Sequence, residues 1–155
     1  MAMIDIGIRV EISKTAIEPT SDTDWDLLDE CLSIPQLLQQ PNLIDHDVIG
    51  NRFITQIAGK RSTSGMTFGF AFNGGLPQAN FRKIKTVEDA GETRWMRVVV
   101  PYNESDTDVT EFRWNSKFSV SNQPINPSGV VSIDVLSLPQ RVVGREVIEV
   151  KFPTA

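Results

Sequence analysis

Few side chains in this sequence stand in patterns that do chemistry. His46, the only histidine, lies between Asp45 and Asp47. Neighbouring residues of an extended chain point to opposite faces, so the three cannot converge on one metal ion. A loop or surface histidine is the cheaper reading. Cys31, the single cysteine, has no histidine near it in sequence and reads as a small buried hydrophobe. "DTDWD" (22–26) and "NESDTD" (103–108) look like fragments of calcium loops. Both lack the sixth-position glycine and the closing glutamate of such a loop, and ordinary turns explain them. No phosphate-binding glycine loop, G-x-S-x-G or H-E-x-x-H is present. The expectation is a protein that is not an enzyme and takes no cofactor or metal.

With chemistry set aside, the pattern of elements carries the information. The stretch "SGMTFGFAFNGG" (64–75) places Met66, Phe68, Phe70 and Phe72 on one face of a strand. The opposite face, Gly65, Thr67, Gly69 and Ala71, is almost bare backbone, where a solvent-facing strand would carry long polar side chains. Such a face predicts close approach by another layer. The helix or another strand layer is one source, and a neighbouring chain is another. A sheet sandwiched within one subunit accounts for it equally well.

Residues 4–13 alternate Ile4, Ile6, Ile8, Val10 and Ile12 with Asp5, Gly7, Arg9, Glu11 and Ser13, a half-buried strand. "DWDLLDECLS" (24–33) is open between a helix capped by Thr23 or Asp24 and a short strand around Trp25 to Leu32. One helix is expected over 78–90, with Pro77 ahead of it, Phe81, Ile84 and Val87 as its apolar stripe, and Gly91 after it. Strands are expected over 94–102, 112–120, 129–138 and 145–152, separated by Pro124, Pro127, Pro139 and Gly144. The fold class is mainly β: a sandwich or barrel of seven or eight strands with one flanking helix. One domain spans 1–155, with short terminal arms (1–4 and 151–155) and a long loop over about 41–61, where two strands joined by a long connection also fit.

The 155 residues carry a net charge of −5, unevenly spread. Residues 1–50 hold ten acids and two bases, and the rest of the chain holds ten acids and thirteen bases. No lysine or arginine cluster forms a nucleic-acid grip. No run of about 18 apolar residues predicts a membrane span. The opening "MAMIDIGIRV" lacks the basic and apolar regions of a secretory signal.

Two stretches, "LSIPQLLQQPNLIDHDVIGNRFITQIAGKRSTSGMTFGFAFN" and "FSVSNQPINPSGVVSIDVLSLP", resemble the tail tube (major tail) proteins of long-tailed bacteriophages. The likeness runs over about 5–150. It rests on Ile34-Pro35, Ile44-Asp45, Gly59 and the strand Phe68 to Asn73, followed by a single helix and a C-terminal run of strands. The sequence departs from that family at His46-Asp47, where the family commonly has Thr.

The resemblance implies a virion protein, assembled in the bacterial host cytoplasm, that forms hexameric rings stacking into a hollow tube. Its implied partners are itself, the tape-measure protein, the tail tip or baseplate and the tail terminator. DNA would pass through without sequence-specific binding. Arg52, Phe53, Ile54 and Ile57 are then the candidates for contact between subunits or rings. Three apolar side chains among these four would each gain about 1.5–3 kcal/mol on burial, before ordering costs. Asp5 and Glu11, on the polar face of the first strand, are candidates for an acidic lumen. Duplex DNA carries one charge per about 1.7 Å, which an acidic wall does not hold. Two other readings stand beside this one: a ring-forming terminator, baseplate or adaptor protein, and a monomeric β-sandwich binding module using Trp25, Trp95 and Trp114.

Overall fold

The computed structural model describes residues 7–38, 41–46, 49–50, 55–61, 66–72, 79–101, 109–129 and 131–152. Its strands are β1 (Arg9–Ser13), β2 (Trp25–Leu27), β3 (Cys31–Ser33), β4 (Pro41–His46), β5 (Thr55–Arg61), β6 (Met66–Ala71), β7 (Arg94–Pro101), β8 (Val109–Asn122), β9 (Ser132–Gln140) and β10 (Glu149–Lys151). One helix, α1 (Asn80–Ala90), lies between β6 and β7.

The alternation expected around Phe112 to Val120 belongs to the longest strand, β8, of 14 residues. Its first half pairs with β7, from Val109↔Pro101 to Ser116↔Arg94. Its second half pairs with β9, from Asn115↔Gln140 to Asn122↔Ile133. The partner changes at Asn115 and Ser116, so one strand serves two parts of a single antiparallel sheet. The full order is β2-β1-β7-β8-β9-β6-β3, with β10 also on β8.

That order closes on itself. Its two ends, β2 and β3, are separated in sequence only by Leu28, Asp29 and Glu30. Four residue steps span at most about 15 Å. In a flat sheet the same two strands would sit about 29 Å apart, at roughly 4.8 Å per strand. The sheet therefore curls into a barrel, and the chain itself bridges the seam. Leu28 N–H donates to Val10 O at 2.8 Å on one side, and Ala71 N–H donates to Glu30 O at 3.0 Å on the other. Glu30 makes the crossing with a left-handed backbone, φ 55°. Asn80, at the start of α1, donates its side-chain amide to Asp29 O and pins the seam from the helix side.

Inward-facing residues fill the barrel: Val10 and Ile12, Met96 and Val98, Trp114 and Phe118, Ile133 and Val135, and Met66, Phe68 and Phe70. The ring of Trp114 stacks on Phe68 at 6.0 Å between centroids. Its indole N–H reaches Ser137 Oγ at 2.9 Å, and Ser137 in turn bonds Ser116. This places a small, satisfied polar trio where β8 changes partners. Helix α1 sends Ile84 and Val87 into the same core. It ends at Gly91, whose φ of 67° is the left-handed conformation that glycine adopts without strain.

Two open readings resolve to strands, and one expected strand shortens. The region open between helix and strand forms two short strands, β2 paired with β1 and β3 paired with β6. The long loop expected over about 41–61 carries strands β4 and β5, which pair with each other in their own two-stranded sheet. The final strand shrinks from 145–152 to Glu149–Lys151, because the turn closed by Arg145 N–H to Val142 O takes up its beginning.

Candidate assembly surface

β4 and β5 form an antiparallel hairpin, with Ile44 opposite Ile57 and His46 opposite Thr55. Neither strand packs extensively on any other element. Leu43 and Ile44 are neighbours and so point to opposite faces, yet they are 62% and 56% exposed. Both faces of the hairpin are therefore uncovered. Ile49, in the turn beyond β4, is fully exposed. A two-stranded hairpin is marginal in water by itself, and one that shows isoleucine and leucine to solvent gains most from a covering partner.

The apolar exposure continues toward the barrel through Leu38, Ile34, Leu32 and Leu27, each more than a third exposed. Sequence reasoning did not name these four as contact residues. The signal was present in "LSIPQLLQQ", an apolar run that its proline keeps out of any long packed element.

Of the expected contact residues, Arg52, Phe53 and Ile54 lie outside the described residues, and Ile57 is placed in β5. Of the small face, Gly65 lies outside the described residues, Thr67 is exposed and Ala71 half-buried. Gly69 is closely approached, but by its own chain: a Cβ there would lie 2.7 Å from Ser33 Oγ of β3. Helix α1 is not the cover of that face, since Ile84 and Val87 pack with Phe68 and Phe70 on the other one. Phe72 departs from the apolar row and is 41% exposed, edge-on to Phe81 at 5.6 Å.

Asp5 lies outside the described residues. Glu11 does not face open solvent: it is 7% exposed and paired with Arg97 at 3.2 Å. It belongs to a row of register partners across the barrel's outer face, Leu27, Glu11, Arg97, Arg113 and Glu149. Arg97 and Arg113 stand side by side, which repulsion disfavours. Two features relieve it. Glu111 touches both, at 3.6 Å and 2.8 Å, and the Trp25 ring lies under both guanidinium carbons, at 4.6 Å and 5.3 Å.

A strap, residues 14–24, covers this row. Its ends meet where Lys14 N–H donates to Asp24 O at 2.9 Å. Asp22 reaches Arg97 at 3.4 Å, and Glu18 receives both terminal nitrogens of Arg145 at 2.7 Å each. The three tryptophans, candidates for a ligand patch only in the binding-module reading, are buried, at 6% exposure or less.

Hydrogen bonds from Arg145 hold the Glu18 carboxyl below the ordinary carboxylate range against the opposing effect of burial, with the charges of Arg145 and Arg113 adding to them. A depressed folded-state pKa means that this contribution is complete above the unfolded carboxyl value and is lost as pH falls through the folded one. Glu18→Gln is expected to lower stability at pH 7 by about 1 kcal/mol or less, because the pair is partly solvated. The difference from wild type should shrink toward zero below about pH 4. Urea titrations at pH 7, 5 and 3 check it, and a difference that grows in acid would refute the assignment.

Burial pushes the Cys31 thiol pKa up, away from reactivity. No group of three potential metal ligands occurs among the described residues.

A barrel closed by its own seam, one helix and a freestanding hairpin together match known folds. The alignment with a chain of the sheath–tube complex of the extracellular contractile injection system PVC, in its extended state, covers 95% of this chain and 89% of that one, with a TM-score of 0.62 at 10% identity. A chain of the anti-feeding prophage (AFP) baseplate, six-fold symmetrised, aligns over 94% of this chain and 92% of that one, with a TM-score of 0.61 at 10% identity. The chain shares their fold. No family model and no curated protein matches the sequence.

Proposed function

We propose that this chain is a structural subunit of a phage-tail-like particle, self-assembling into hexameric rings that stack into a tube. The observation that carries the proposal is the hairpin β4–β5, bare on both faces, on a chain with the fold of sheath–tube and baseplate chains. A ring needs one head-to-tail interface that closes by rotation, and stacking needs a second along the axis. The hairpin and the exposed residues Leu27, Leu32, Ile34 and Leu38 supply apolar surface for the first or the second. Arg52, Phe53, Ile54 and Ile57 belong to the same arm by sequence.

In a phage, such a tube is the conduit for DNA, and the tape-measure protein, tip or baseplate and terminator are its partners. Their place in this particle is part of the proposal, as are a tail location and assembly in the host cytoplasm. The fold shared with chains of contractile injection particles extends it to a surrounding sheath. A second reading, a baseplate component that forms one ring and stops, is favoured by the equally good match to the AFP baseplate chain.

Negative-stain electron microscopy over a range of protein and salt concentrations tests both. Stacked six-fold rings or tubes are expected. Isolated rings would favour the baseplate reading, and a monomer under all conditions would count against both. Ile44→Asp should abolish stacking or ring closure while changing unfolding stability by no more than about 1 kcal/mol, since Ile44 is more than half exposed in the isolated chain. Full-length tubes from that variant would exclude the hairpin as the contact.

A further inference from the structure

β10 is the least secured strand of the sheet. Its three residues pair with β8 alone, as Glu149↔Arg113, Val150↔Phe112 and Lys151↔Glu111, and no strand borders its outer edge among the described residues. β8 offers that edge because β9 joins it only from Asn115 onward. The same edge would accept a strand along Val109 to Trp114, twice what β10 uses. Ile148 packs against the core just ahead of β10, and Val150 is half-buried. The remaining hold comes from outside. Arg145 donates two hydrogen bonds to Glu18 and a third to Glu149 at the start of β10. Glu18 belongs to the strap between β1 and β2, so one guanidinium ties β10 to an element from the far side of the sheet.

We infer that β10 is a releasable guard strand. The Glu18–Arg145–Glu149 clasp keeps it on the β8 edge, and opening the clasp yields that edge to a strand of a second copy. A short edge strand blunts a sheet against unwanted pairing, and strand addition is the reaction it prevents. The surroundings suit an incoming strand. A groove of about 430 Å³ runs beside β10, lined by Leu38, Ile148 and Val150 with Glu146 and Glu149. Val143 and Phe152, flanking β10 in sequence, are 87% and 76% exposed. Release leaves the core in place, because Trp114 and Phe118 are held by β7, β9 and α1. The guard strand stands on this geometry alone; the second copy as its replacement rests on the assembly reading above.

Two experiments decide it. Amide hydrogen exchange of the full chain should show 145–151 and 109–113 exchanging severalfold faster in Glu18→Gln than in wild type, with β7 and β9 unchanged. Unchanged exchange, or an equal rise throughout the sheet, overturns the clasp. For the second copy, Phe112→Cys and Val150→Cys in a Cys31→Ser background place two thiols at directly opposed positions, within disulfide reach. The oxidised protein is expected to stay unassembled and the reduced protein to form rings or tubes. Oxidised protein that assembles as well as reduced protein removes the edge from assembly. Wild type that never assembles refutes the proposed function, while the exchange result still decides the guard strand.

Discussion

Trp114→Ala is expected to cost about 3–5 kcal/mol, a large share of the roughly 5–15 kcal/mol that holds a domain of this size. Trp114 has no exposed surface, stacks on Phe68 and donates to Ser137. It sits at the point where β8 leaves β7 for β9, so the cavity would open between the two parts of the sheet. Neither part can collapse into it without breaking register. Trp114→Phe keeps a ring on Phe68 and loses the indole donor. Ser137 retains Ser116 as a partner, so this variant should cost only about 1–2 kcal/mol. Urea unfolding followed by far-UV circular dichroism gives both values. An alanine variant within about 1 kcal/mol of wild type would show that the partner change on β8 does not organise the core.

The second large effect is expected at Glu11. Among the described residues, Glu11→Ala leaves Arg97, 6% exposed, with the carboxylates of Asp22 at 3.4 Å and Glu111 at 3.6 Å and the Trp25 ring, and its Nε has no hydrogen-bond partner. Breaking a buried pair costs about 3–5 kcal/mol, because the remaining charge is stranded. The two residual carboxylates place this case near the low end. Replacing both partners, Glu11→Leu with Arg97→Met, should recover most of the loss, since apolar side chains of similar size need no compensation. Thermal unfolding of the three variants separates the outcomes. If Glu11→Ala were silent in unfolding, the buried pair with Arg97 would contribute nothing to stability. The buried pairing assigns it to the barrel wall.

The alternation that sequence analysis read around Phe68, Trp114 and Val10 survives in the structure because period two is a local property of a strand. Each residue's face follows from the one before it. The helix was legible for the same reason, since Phe81, Ile84, Val87 and Gly91 lie within four turns of one another. The fate of Glu11 was not legible. A glutamate alternating with isoleucine reads as solvent-facing unless the strap and Arg97, more than 80 residues away, are known to cover it. The tryptophans sit in or near apolar-patterned strands, which favours burial, and all three are buried; at Trp25 two arginines and the strap provide the cover.

The candidate surface was partly visible. "PNLIDHDVIGNRFITQIAGKR" announced a long excursion carrying apolar residues, and the structure turns it into a hairpin exposed on both faces. The run from Leu27 to Leu38 was missed because hydrophobicity in sequence predicts burial. Whether a leucine is buried depends on what lies opposite it.

By itself, the amino-acid order determined what acts over a few residues: the period of the longer strands, the apolar stripe and glycine stop of the helix, and the turns. Only the tertiary structure decided the closure of the sheet through the seam at 28–30, the change of partner on β8 and the ion network under the strap. It also decided which edges and faces were left uncovered. These depend on contacts between residues distant in sequence, where a strand's pattern says that one face is buried but not which partner buries it.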